Sequence, residues 1–158
     1  DRLREEFPDI EGLVLADLSK KEGNAPILDW IQSHWKGVDF CFANAGKASY
    51  APATDQDWAN MEQLFQLNVH SPIQLGLALK QGYPTHPLRH VITCSAIAYW
   101  AIPGYSLYSS TKAALLQWAE FHRLFPAGDE AVKGHRRIAC GFQSFASVRP
   151  NIARTASD

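Results

Sequence analysis

His90-Val91-Ile92-Thr93-Cys94-Ser95, closed thirteen residues later by Tyr108-Ser109-Ser110-Thr111-Lys112, is the stretch that decides the fold. Its first part is a short apolar run ending on a hydroxyl, the pattern of a strand buried on both faces. Pro103-Gly104 then marks a turn. From Ser106 to Phe125, the residues Leu107, Thr111, Ala114, Leu115, Trp118, His122 and Phe125 recur at steps of three and four, which predicts a helix with one packed face. Pro126-Ala127-Gly128 ends it.

The same alternation extends upstream. Gly12 to Asp17 holds Leu13-Val14-Leu15-Ala16 and is predicted as a first strand, ending on an acid. Ile27, Leu28, Ile31 and Trp35 predict a helix over 24–35, with Asn24 as N-cap, Pro26 in the first turn and Gly37 as the break. Val38 to Ala43 predicts the next strand, closed by Asn44-Ala45-Gly46. Asp55 is expected to cap a long helix over 55–80 carrying Trp58, Met61, Leu64, Phe65, Leu67 and Asn68. Pro72 should disturb it, because proline lacks an N–H and clashes with the preceding turn. Beyond His135 two strand-like pieces follow, 137–140 and 145–148. Strand, helix, strand, helix, strand, helix with apolar strands predicts an α/β domain over 1–158, a parallel sheet covered by helices on both faces.

Composition narrows the function. The chain has 158 residues, 46% hydrophobic and 20% charged, enough for one core and unlike a disordered tail or coiled coil. Its net charge of −1 supplies no field for nucleic acid or an anionic membrane. No apolar run approaches the roughly 20 residues that span a bilayer. The charged start, Asp1 to Phe7, lacks the apolar segment of a signal peptide, so a cytoplasmic location is expected. The chain does not begin with Met, and a piece of a longer protein is expected. Cys41, Cys94 and Cys140 are far apart and odd in number, which predicts reduced thiols. His86 and His90 lie four apart with Pro87 between them, a poor pair of metal ligands, and no metal site is expected.

Tyr108 and Lys112 are four apart at the start of a helix and share a face. A nearby ammonium favours the phenolate, so this pair is suited to exchange a proton with an alcohol or carbonyl oxygen. A surface Tyr beside a solvated Lys would look the same. Ser95 adds weight, because ligands bind beyond the carboxyl ends of strands in open parallel sheets. A hydroxyl there can orient the reacting oxygen, although turn serines are common after strands. Asn44-Ala45-Gly46 and Asp17 are expected at the same edge.

Together, Asp17-Leu18, Asn44-Ala45-Gly46, Asn68-Val69, Ser95 and Tyr108-Ser109-Ser110-Thr111-Lys112 resemble the short-chain dehydrogenase/reductase (SDR) family in order and spacing along residues 10–125. The resemblance implies a Rossmann-like doubly wound sheet, incomplete at the N-terminus and at the C-terminus. It implies an oxidoreductase that uses NAD or NADP to interconvert a carbonyl and a secondary alcohol. Tyr108 would be the catalytic acid/base. Lys112 would lower its pKa and hold the cofactor's ribose, and Ser95 would orient the substrate oxygen. Asn68 would break its helix and order a water in a proton relay to Lys112. Asp17 and Leu18 would contact adenine, and Asn44, Ala45 and Gly46 would line the cofactor. Ala153 and Thr155 are the nearest match to the family's later cofactor residues, although Asn151 stands where a glycine is usual.

One departure is plain. The glycines fall at 12, 23, 37, 46, 76, 82, 104, 128, 134 and 141, and no glycine-rich phosphate turn can be written on them. The resemblance places that turn in a strand–helix–strand unit before residue 1. Two other functions stay open: an inactive SDR-like chain serving at most as a binding or dimerisation module, and an epimerase or dehydratase of a related extended family. Asn44-Ala45-Gly46 speaks against the latter. The partners expected are a small carbonyl or alcohol substrate and, for the full-length protein, further copies in a homodimer or homotetramer. Trp58, Phe65, Leu75, Leu107, Leu115 and Trp118 offer apolar surface for that association.

Overall fold

The structure is a computed structural model and describes residues 5–51, 57–124 and 139–143. Its elements run α1 (Ala25–His34), β1 (Phe40–Ala43), α2 (Trp58–Phe65), a π-helical turn (Gln66–His70), α3 (Ser71–Gly82), β2 (Arg89–Ser95), a short 3-10 turn (Ala96–Ala98), α4 (Ser106–Leu124) and β3 (Ala139–Gln143). The three strands form one parallel sheet in the order β1-β2-β3. Phe40 pairs with Arg89 at one end of β1 and Ala43 with Ile92 at the other, and Ser95 closes β2 opposite Gln143. The carboxyl ends of β1 and β2 therefore open onto the same edge.

Two cores hold this arrangement. Ile92 and Cys94 of β2 pack on Leu115 and Leu116 of α4, with Ile73, Ala98 and Trp118 around them. Ile31, Val38 and Leu79 form the second, where Leu75 and Tyr83 meet Ile27, Leu28 and Trp30. Both follow from the three-and-four spacing read in the sequence. Leu115 and Trp118 are thus spent inside the molecule, as is Leu75. Of the side chains expected to mediate association, Trp58 stays prominently exposed, and Phe121 joins it. Among the described residues, no helix is long and apolar enough to cross a membrane.

Several expectations are corrected. Residues 12–17 form no strand: Leu15 is 89% exposed, and none of the described strands pairs with the segment. An apolar run becomes a strand only when a neighbour takes its N–H and C=O groups. The long helix begins at Trp58, capped by Asp57, whose carboxylate accepts from the N–H groups of Ala59 and Asn60. Asp55 lies outside the described residues. Asn24 does stand at the start of α1 but makes no side-chain cap bond. Its Nδ2 donates to the Ser71 carbonyl at 2.9 Å, and its Oδ1 accepts from the Ser71 hydroxyl at 3.0 Å. A buried amide cannot be left unpaired, and Ser71 offers both a donor and an acceptor. The disturbance expected from Pro72 is present as the π-helical turn just before it. Of the two strand-like pieces in the tail, 139–143 forms β3, while 137–138 and 145–148 lie outside the described residues. Of the thiols expected to be reduced, Cys41 is free, its pKa pushed up to about 11 by burial. Cys94 is instead disulfide-bonded. Parallel pairing of β2 and β3 sets Cys140 opposite Ile92, two rungs from Cys94's own partner Phe142.

His90 gives the fold a pH dependence. It is buried in β2, its ring lies edge-on to Trp118 at 6.4 Å, and its Nε2 has no hydrogen-bond partner among the described residues. Burial lowers its pKa to about 4. A depressed folded-state value means stability fully present above the unfolded value near 6.5 and lost as pH falls toward 4. The loss over that window should be about 3 kcal/mol. Urea unfolding at pH 7 and pH 4 checks it. His90→Leu should flatten the difference, and an unchanged difference in that variant would contradict the assignment.

Candidate active site

The carboxyl ends of β1 and β2 and the first turns of α4 build the site. Ser95 is the last residue of β2 and is fully buried. Its Oγ accepts from the Ile97 N–H at 3.3 Å, capping the 3-10 turn. The hydroxyl proton is left for Tyr108, whose phenol it hydrogen-bonds. The turn-cap reading of Ser95 therefore holds, and the same side chain also reaches Tyr108.

Tyr108 and Lys112 come together as the four-residue spacing predicts. The Lys112 Nζ lies 5.8 Å from the centre of the Tyr108 ring. Lys112 is 4% exposed and donates to the Thr93 carbonyl at 2.8 Å. That is its one hydrogen bond among the described residues, so two of three ammonium protons remain. The pKa of Tyr108 departs from expectation. Burial raises it above the ordinary phenol value, and the Ser95 hydrogen bond offsets this only in part. Burial also lowers Lys112. A charge-poor pocket disfavours phenolate and ammonium alike, so the resting proton sits on the tyrosine.

Asn68 arrives by a route that spacing does not show. Pro72, four residues on, has no N–H for the Asn68 carbonyl, and the chain passes through the π-helical turn. Its side chain makes three hydrogen bonds. The Oδ1 accepts from the Lys47 N–H at 2.9 Å, while Nδ2 donates to the Lys47 carbonyl at 2.9 Å and the Thr111 hydroxyl at 3.0 Å. The amide therefore pins the chain just after Asn44-Ala45-Gly46. A Cβ at Gly46 would come within 3.3 Å of the Asn68 Oδ1 and 3.5 Å of the Lys112 Nζ, so only glycine sits there without displacement.

Three residues were missed by sequence reasoning. Thr111, fully buried, donates to the Tyr108 carbonyl at 2.7 Å and accepts from Asn68. The Lys47 backbone holds Asn68, and the Thr93 carbonyl holds Lys112. Thr111 lies within the quoted motif, on the helix face of Tyr108. The two backbone contacts left no trace in residue type.

The expected cofactor residues divide. Asn44, Ala45 and Gly46 are exposed small residues, and the Asn44 Oδ1 accepts from the Thr93 hydroxyl at 2.7 Å. Leu18, Asn44 and Ala45 line one apolar cleft of about 290 Å³, floored by Ile31, Leu75 and Leu79. Asp17 does not line it and ends no strand. Its carboxylate accepts from the Ser19 hydroxyl at 2.6 Å and N–H at 3.0 Å, which holds its pKa below the usual range. Ala153 and Thr155 lie outside the described residues.

A family model described as enoyl-(acyl carrier protein) reductase matches residues 1–121. The chain is 27% identical over 116 residues to the short-chain dehydrogenase ptmH of Penicillium ochrochloron, covering 71% of this chain and 42% of that one. It is 30% identical over 105 residues to the NADPH-dependent 1-acyldihydroxyacetone phosphate reductase of Saccharomyces cerevisiae, covering 65% and 35%. A solved short-chain dehydrogenase/reductase from Burkholderia vietnamiensis superposes with a TM-score of 0.70 at 26% identity, covering 92% of this chain and 67% of that one. An α/β sheet with these likenesses defines a Rossmann-type fold, and the chain belongs to the short-chain dehydrogenase/reductase family. It spans less than half the length of the two curated relatives.

Proposed function

We propose that these residues form the catalytic part of an NAD(P)-dependent oxidoreductase that interconverts a carbonyl and a secondary alcohol. The observation that carries this reading is the Ser95–Tyr108 hydrogen bond with the buried Lys112 ammonium beside the same ring. A proton donor, a second hydroxyl and a cation meet there at the carboxyl edge of a parallel sheet.

The residues fit one half of a dinucleotide. Lys112 has two ammonium protons for ribose hydroxyls, and Asn44, Ala45 and Gly46 present small exposed side chains beside it. For the pyrophosphate, the ten glycines of the chain supply no clustered turn, so the reading needs such a turn from elsewhere in the protein. The cofactor would supply or accept the hydride. Tyr108, protonated at rest, would give its proton to the developing alkoxide during reduction. Ser95 would hydrogen-bond the same oxygen and hold it against the phenol. Lys112 would stabilise the phenolate left behind, and the Asn68 carbonyl would order the water that returns a proton toward Lys112. Asn44, Ala45, Gly46, Tyr108 and Lys112 would thus line the cofactor, with Leu18 at the cleft; Asp17, turned to Ser19, has less support. Oxidation of a cofactor's reduced nicotinamide on adding a ketone tests the activity, and its absence with every carbonyl tried would count against it.

The full-length protein is proposed to form a homodimer or homotetramer, with Trp58 of α2 and Phe121 of α4 as exposed aromatic contacts. Sedimentation should show an oligomer at micromolar concentration, and a monomer there would contradict the proposal.

A further inference from the structure

Two loops leave the site and meet beyond it. One joins Ser95 to Ser106 at the start of α4; the other runs on from Lys47, where Asn68 pins the chain, to Ala51. The Ala51 N–H donates to the Gly104 carbonyl at 2.9 Å, and the rings of Tyr50 and Tyr105 meet edge to face at 5.3 Å. Gly104 has a φ of 81°, and a Cβ there would collide with the Tyr50 ring. The loops are therefore fixed to each other as well as to the site.

Between them they expose Tyr50, Tyr99, Trp100 and Ile102, each between 44% and 69% accessible. Tyr99 and Trp100 are four and five residues past Ser95, and their N–H groups close the 3-10 turn onto the Ala96 and Ile97 carbonyls. Charge is sparse here. From Ser95 to Thr111 there is no Asp, Glu, Lys or Arg, and none from Ala48 to Thr54. Of the two lysines beside these segments, Lys112 is buried on the Thr93 carbonyl, and Lys47 is the one exposed cation of the pair.

We propose that the substrate carries an aromatic or comparably large apolar group next to its carbonyl or carbinol carbon, seated against Tyr99 and Trp100. This rests on the carbonyl-reduction reading above. A carbonyl oxygen at Ser95 and Tyr108 leaves the rest of the molecule to the loop that follows Ser95 and to the Lys47–Ala51 loop fixed against it. Exposed rings there gain by covering an apolar group, while a carboxylate or phosphate would lose water with little cation to replace it.

The test is direct binding to the 158-residue chain without cofactor, read by saturation-transfer NMR and titration. The probes are a naphthyl methyl ketone and, as a small charged ketone, pyruvate. The naphthyl ketone should bind and pyruvate should not. The double variant Tyr99→Ser, Trp100→Ser should weaken naphthyl ketone binding at least about tenfold. Both side chains are exposed, so the fold should survive, and circular dichroism checks that. Equal affinity in the double variant, no ketone binding at all, or pyruvate binding as tightly would overturn the proposal. Binding without hydride transfer in the full protein would instead refute the catalytic reading and leave the aromatic seat standing.

Discussion

Tyr108→Phe is expected to lower kcat for ketone reduction by about 10³-fold or more, the range set by losing a positioned proton donor. The measurement belongs in a protein that joins these residues to a phosphate-binding turn. The variant keeps the ring, its packing and the nearby Lys112, and removes only the oxygen that hydrogen-bonds Ser95. KM for the ketone should change far less than kcat, because the lost interaction matters when the alkoxide takes its proton. Lys112→Ala should fall by about 10²-fold or more, since it removes the cation that stabilises phenolate. It also strips the Thr93 carbonyl of its donor, so its stability should drop measurably. A Tyr108→Phe enzyme within a few-fold of wild type would remove the tyrosine from the mechanism.

The second large effect is on cofactor affinity. These 158 residues alone are expected to bind NAD(H) or NADP(H) too weakly to detect by calorimetry. Dinucleotide phosphates are held by backbone N–H groups at a glycine turn opening onto a helix N-terminus. The contacts proposed here, at Asn44, Ala45, Gly46, Tyr108 and Lys112, would serve the ribose and nicotinamide and not the pyrophosphate. Several missing phosphate bonds of roughly 1.5–3 kcal/mol each leave a deficit of orders of magnitude in affinity. Micromolar binding to the chain by itself would show that the pyrophosphate has other partners within these residues.

The β2–α4 unit was legible because each of its signals is local. β2 is an apolar run whose alternate residues Ile92 and Cys94 are fully buried, a helix on a sheet must repeat every three to four residues, and Tyr108 and Lys112 fall on one face by spacing alone. The disturbance before Pro72 was legible for the same reason, since a missing N–H acts on the turn that precedes it. What escaped depends on distant partners. The segment 12–17 is as apolar as a strand, but its composition is silent on whether a neighbour exists. Asn24 has the residue type of a cap, yet Ser71, 47 residues away, takes its amide. Asn68 was flagged, but not its grip on the Lys47 backbone 21 residues off. For Tyr108, the lysine four residues on suggested a lowered pKa. Burial works in the opposite direction, and it comes from packing that no spacing displays.

The most direct test of the central claim follows a deuterium label. Reduced nicotinamide cofactor carrying deuterium at its hydride position is given, with a ketone, to a protein that contains these residues and a phosphate-binding turn. The alcohol product should carry deuterium on its carbinol carbon, and Tyr108→Phe should suppress that transfer by about 10³-fold. Product alcohol without label at that carbon, or label transferred by Tyr108→Phe at the wild-type rate, would contradict the account.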